Sequence, residues 1–191
     1  YVDIYVDDTG IYVSGDYVVY VIDFDGNIID QIELPNLGAY WYSHRSAANR
    51  KYISVCCFYK MTKDAEWENV IYVIDRKTNK ISTYDYTKVR DTDTLERIIP
   101  TSKANEFILV GNHQVYSFDA TNGKYDMVYD GVNAYIVDYL PKDNCLYFMD
   151  QSNISGEILI GKITLSSGEI NVIRNTNEEY IFARIKPAVE A

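Results

Sequence analysis

The stretch "NVIYVIDRKTNKISTYDY" (69–86) is an apolar run closed by Asp75, followed by a short polar turn and a looser run. Val70 through Ile74 are apolar without a break, so both faces of an extended strand would be greasy; this predicts a strand buried on both sides. Asp75 can fold its carboxylate onto backbone N–H groups two residues ahead, and Asn79 tolerates the positive φ that such a turn requires. The run after the turn, "KISTYDY", is more polar, as an outer strand would be. The stretch reads as a β-hairpin.

The same phrase recurs as "VVYVIDFDGNII" (18–29), "QVYSFDATNGKY" (114–125) and "LIGKITLSSGEI" (159–170). The runs end at Asp23, Asp75, Asp119 and Thr164, and Gly26, Asn79, Gly123 and Gly168 follow three or four residues later. Before each phrase lie two further strand candidates. They are "VDIYVDD" and "IYVSG", "YWYSHRS" and "KYISVCCFY", "ERIIPTS" and "EFILVG", and "YIVDYLP" and "CLYFMD". The four steps from Asp3 through Ser43, Arg97 and Asp138 to Ala183 average 45 residues, and no helical period is sustained. Four short strands per repeat at that spacing predict an all-β chain built as a β-propeller of four-stranded antiparallel blades.

"IYVIDRKTNKI" and "VYSFDATNGKY" resemble the third-to-fourth-strand hairpin of YVTN-type and quinoprotein-like β-propeller repeats, and "DIYVDDTGIYVSG" resembles the opening hairpin of NHL-type blades. The resemblance implies a propeller for the whole chain and says little about function. The fourth unit departs from the pattern, with Thr164 for Asp and Gly161-Lys162 inside the apolar run. No WD dipeptide or kelch double glycine is present.

The expected blades are 1–34, 35–86, 87–130 and 131–174, with 175–191 supplying the first strand of a further blade at Tyr180–Lys186. Four blades and one strand do not close a five-membered ring, and an unclosed propeller leaves faces and edges in water. The chain is therefore expected to be a segment of a six- to eight-bladed ring, completed by its remaining blades or by self-association. A closed four-bladed ring with Tyr180–Lys186 as an appendage is the alternative. The start at Tyr1, without a Met or an apolar leader, reads as a processed or excised piece.

The net charge of −10 and pI near 4.6, with Lys and Arg scattered, argue against a nucleic-acid partner, which needs a basic stripe. No apolar run is long enough to span a membrane as a helix. Cys56, Cys57 and Cys145 offer neither a disulfide framework nor a zinc signature and read as buried small hydrophobes. Unpaired cysteines suit a reducing or anaerobic setting, and the reading leans to a secreted or cell-surface bacterial origin.

Catalytic motifs such as GxSxG, a P-loop and HExxH are missing. His44 and His113 have no acidic or Cys partner at ligand spacing. "DFDGN" (23–27) looks like a calcium loop through Asp23 and Asp25, but it lacks the downstream Glu of an EF-hand, so a plain turn is favoured and no cofactor is expected. Asp7-Asp8 and Glu178-Glu179 read as solvated turns; a glycosidase pair drawn from different blades stays open.

Two features mark candidate sites. Aligning the repeats puts Asp3, Ser43, Arg97 and Asp138 at one level of the innermost strands, where they would line the central channel and take a small polar ligand. The excursion "YKMTKDAEWENV" (59–70) exceeds an ordinary hairpin loop and carries Trp67, a candidate partner contact. A non-catalytic binding or scaffolding module for a protein or glycan is the leading reading. An enzyme with a channel-mouth site (lyase, glycan hydrolase or quinoprotein) and a propeller gating an attached serine peptidase domain are the alternatives.

Overall fold

The computed structural model describes residues 3–15, 17–38, 40–86, 95–111, 114–130, 134–151 and 158–176. The expected strand at Tyr180–Lys186 lies outside them. Sixteen strands are described, with no helix among the described residues. Blade 1 holds β1 (Asp3–Asp7), β2 (Gly10–Ser14), β3 (Val18–Ile22) and β4 (Ile28–Glu33). Blade 2 holds β5 (Tyr40–Ala48), β6 (Tyr52–Lys60), β7 (Glu68–Asp75) and β8 (Ile81–Asp85). Blade 3 holds β9 (Leu95–Pro100), β10 (Glu106–Gly111), β11 (Gln114–Asp119) and β12 (Tyr125–Asp130). Blade 4 holds β13 (Ala134–Leu140), β14 (Cys145–Gln151), β15 (Ile158–Thr164) and β16 (Glu169–Thr176). Each is an antiparallel sheet whose strands follow chain order. The chain has the architecture of β-propeller blades.

The hairpin turns form as their chemistry demands. The Asp75 carboxylate accepts the N–H groups of Lys77 and Thr78, each at 3.0 Å, and the Asp119 carboxylate that of Thr121 at 2.8 Å. Asn79 (φ 54°) and Gly123 (φ 74°) take the left-handed positions that close these turns. In blade 4 the Thr164 carbonyl still accepts from Ser167 and Gly168, but its hydroxyl lies against the Cys145 thiol instead of capping the turn.

The core lies in the seams between blades. Tyr12, Val19, Ile32 and Leu34 of blade 1 pack on Ile53, Val55, Tyr72 and Ile74 of blade 2. The opposite face of blade 2, with Tyr52, Cys56, Ile71 and Val73, packs on Phe107, Leu109 and Phe118 of blade 3. Ile108, Val110 and Val115 then meet Leu146, Phe148 and Ile163 of blade 4. No core cluster among the described residues joins blade 4 back to blade 1. The expected burial on both faces holds for β7, whereas β3 and β11 are buried only in part; among the described residues no core cluster forms on the face of blade 1 turned away from blade 2.

Candidate functional site

The innermost strands carry polar side chains that stitch one blade to the next. The Ser46 N–H on β5 donates to Asp3 Oδ2 on β1 at 2.7 Å, and the Ser46 and Ser14 hydroxyls bond at 2.7 Å. Arg45 Nε donates to the Glu96 carbonyl on β9 at 2.5 Å, and its guanidinium lies 3.5 Å from the Glu96 carboxylate. These bonds link blade 1 to blade 2 and blade 2 to blade 3.

Register corrects the expected channel level. Asp3 pairs with Ser14, Arg45 with Cys56 and Arg97 with Val110, each opposite the fifth residue of its second strand. Arg45 therefore stands where Ser43 was expected. A β-bulge between Ser43 and Arg45 inserts an extra residue and moves Ser43 opposite Cys57. In blade 4 Asp138 stands opposite Tyr147, the third residue of β14, on the turn side of a second bulge between Ile136 and Asp138. Asp138 is half-buried and its Oδ1 accepts from the Tyr139 N–H at 2.9 Å. Arg97 is exposed. The side chains of Ser43 and His44, and all of His113, lie outside the described residues. Pairing register leaves no composition signal, so alignment by motif alone could not place these rungs.

At the calcium-like turn, Asp23 Oδ1 accepts the N–H groups of Asp25 and Asn27 at 3.0 and 2.8 Å, and Oδ2 accepts from the Asn27 side chain at 2.9 Å. Those bonds, led by the Asn27 side chain, hold its carboxyl below the usual range. Among the described residues, no group of three His, Cys, Asp or Glu side chains is placed to hold a metal. Cys56, Cys57 and Cys145 form no disulfide and are buried, and burial pushes the Cys56 thiol up to about 12.

Sequence reasoning missed Arg76. Its guanidinium crosses the first seam and pairs with Asp7 at 2.7 and 3.3 Å. It also donates to the Asn49 carbonyl and to the Thr9 and Tyr12 hydroxyls, with its carbon 4.2 Å from the Tyr12 ring centre. The two side chains are only 8% and 11% exposed. Burial opposes ionisation of Asp7, but the bonds from Arg76 and Thr9 outweigh it and bring its carboxyl down to about 2. The available signal was a cation directly after the turn acid, where the other units carry Phe24, Ala120 and Leu165.

The excursion in blade 2 resolves into long strands and a loop over 61–67. Trp67 is half-buried, with Lys60 Nζ 4.9 Å from its ring centre. At the loop base the Tyr59 hydroxyl donates to Glu68 Oε2 at 2.5 Å, a bond that leads in pushing its pKa up to about 12. Gly38, in the linker from blade 1, runs so close beneath the loop that an added Cβ would sit 2.6 Å from the Lys60 carbonyl oxygen. Met61, the first residue of the loop, stands 60% exposed.

No protein-family model matches the sequence, and no curated protein matches it. Solved β-propellers share its fold. An oligogalacturonate lyase in complex with manganese superposes with a TM-score of 0.65 at 9% identity, over 89% of this chain and 51% of that one. The hydrazine synthase of Kuenenia stuttgartiensis gives 0.58 at 12% identity, over 88% of this chain and 46% of that one. A chain of a nidogen–laminin complex gives 0.51 at 10% identity, over 87% and 62%. The chain thus spans about half the length of the first two and three-fifths of the third.

Proposed function

We propose that this chain is a non-catalytic propeller module that binds a protein or glycan partner through the end of the arc where the 61–67 loop stands. The observation that carries this reading is the loop itself. Lys60 braces the Trp67 ring, the Tyr59–Glu68 bond closes the base, and Met61 is presented to solvent. An aromatic side chain already held in place loses little freedom on binding, which favours it as an anchor. The propellers of similar fold include both an enzyme and a partner-bound protein, so the choice rests on this chain's own residues. Among the described residues, the carboxylates with resolved shifts, Asp7, Asp23, Asp75 and Asp119, have lowered pKa values and serve turns or an ion pair, whereas a general acid needs a raised one.

The test presents the chain and its Trp67→Ala variant to a glycan array and a displayed peptide library. Hits weakened at least tenfold by Trp67→Ala, with melting unchanged, support the reading. Hits bound equally by both forms, or glycans cleaved during incubation, overturn it.

A further inference from the structure

We propose that the far face of blade 1 is the seat of another four-stranded blade, standing ahead of blade 1 as blade 1 stands ahead of blade 2. This inference is independent of the 61–67 loop. It bears on the six- to eight-bladed ring expected from the repeats.

The argument is a register equivalence. On the face each blade turns to its predecessor, one rung pairs Ile53 with Ile74, Phe107 with Phe118 and Leu146 with Ile163. The next rung pairs Val55 with Tyr72, Leu109 with Tyr116 and Phe148 with Gly161. These residues make the three seams. In blade 1 the same rungs are Ile11 with Ile22 and Val13 with Tyr20, the same residue types, and all four are left half-exposed. Ile4 and Val6, paired to those rungs on β1, are 67% and 55% exposed. A contiguous apolar sheet face of this kind is rare on a soluble surface without a partner.

The hairpin turns repeat the pattern. In blades 2, 3 and 4 the residue after Asp75, Asp119 or Thr164 lies in the seam with the preceding blade: Arg76 binds Asp7, Ala120 is buried in the second seam, and Leu165 packs on the third. Asn79 reaches back to Asp30 at 2.7 Å, and a Cβ on Gly123 would meet the Tyr84 ring. In blade 1 the equivalent Phe24 is 65% exposed.

The open face has a shape. Beside Tyr20 lies a cavity of about 490 Å³, lined also by Tyr17, Gln31, Glu33 and Asn36. At the matching place in the first seam, Tyr72 is fully buried and donates its hydroxyl to the Pro35 carbonyl, in the linker that leaves the preceding blade. The occupant is therefore a blade whose outgoing linker offers Tyr20 a backbone carbonyl and whose second and third strands offer apolar side chains to Ile11, Val13 and Ile22.

The experiment supplies that blade. Residues 3–38 are repeated ahead of the complete chain, so that the added copy presents to blade 1 the surface that blade 1 presents to blade 2, Pro35 carbonyl included. Ile4→Cys and Phe24→Cys, made singly, are read by maleimide labelling; the native cysteines are buried. The proposal expects these probes to label at least tenfold more slowly in the original blade 1 of the extended chain than in the unextended chain, while the same probes in the added copy stay reactive. Equal rates in extended and unextended chains overturn it. Probes already protected in the unextended chain, with protection lost on dilution, also overturn it, because a second copy then takes the face.

Discussion

The stretches VVYVID (18–23) and VIYVID (70–75) differ at one position, yet Tyr72 and Ile74 are fully buried while Tyr20 and Ile22 are half-exposed. Local structure is the same in both: a third strand ending in an acid that caps a turn. The difference is the neighbour. Blade 2 lies against blade 1 across the first seam, and among the described residues no core cluster covers the far side of blade 1. A propeller strand thus acquires its burial from the next sheet, and the stabilising apolar contact belongs to the seam between blades.

The largest expected effect breaks that seam at its charged staple. Arg76→Met leaves the Asp7 carboxylate buried without its cation and should cost about 3–5 kcal/mol in urea melts at pH 7. The reverse change at the equivalent open position, Phe24→Arg, should stay within about 0.5 kcal/mol. The pH dependence follows from sign. With its pKa depressed to about 2, Asp7 contributes stability that is complete above its unfolded value of about 3.8 and lost as pH falls toward 2. In Arg76→Met the unpaired carboxyl is raised instead, so the gap between the two proteins should be widest at neutral pH and shrink below about pH 4. A gap of equal size at pH 3 and pH 7 would assign the loss to packing.

A smaller and cleaner contrast uses identical residues. Ile53→Ala deletes a side chain packed in the first seam and should cost about 2–5 kcal/mol. Ile11→Ala, at the same rung of blade 1, should cost less than about 1 kcal/mol in the unextended chain, since little cavity forms on an open face. Equal losses at the two sites would mean that the far face of blade 1 is covered after all.

These contrasts also mark what the sequence could carry. The hairpin acids and their Gly or Asn partners were legible because turn chemistry is local: Asp75 and Asp119 act on N–H groups within three residues. The four-stranded repeat followed from spacing. The channel level was not legible, because no motif marks the pairing register of the first hairpins, which sets Arg45 opposite Cys56 and Asp138 opposite Tyr147. The Arg76–Asp7 staple was hidden for another reason. Its partners are 69 residues apart, and only the packing of two blades brings them together.

The finest prediction concerns one oxygen. Tyr72→Phe removes the hydroxyl that donates to the Pro35 carbonyl at 2.5 Å and leaves that acceptor without it. The expected loss is about 1 kcal/mol, a typical net hydrogen bond, with the ring still packed. Tyr20→Phe, the same deletion at the same rung, should be silent in the unextended chain, where the ring borders an open cavity. In the chain extended by a second copy of residues 3–38, Tyr20 meets the Pro35 carbonyl of the added blade, and Tyr20→Phe should then cost what Tyr72→Phe costs. Paired melts of the four proteins read this directly. A Tyr20→Phe loss that is already full in the unextended chain would give this hydroxyl a partner on its own blade, and the two faces would differ in exposure without differing in design.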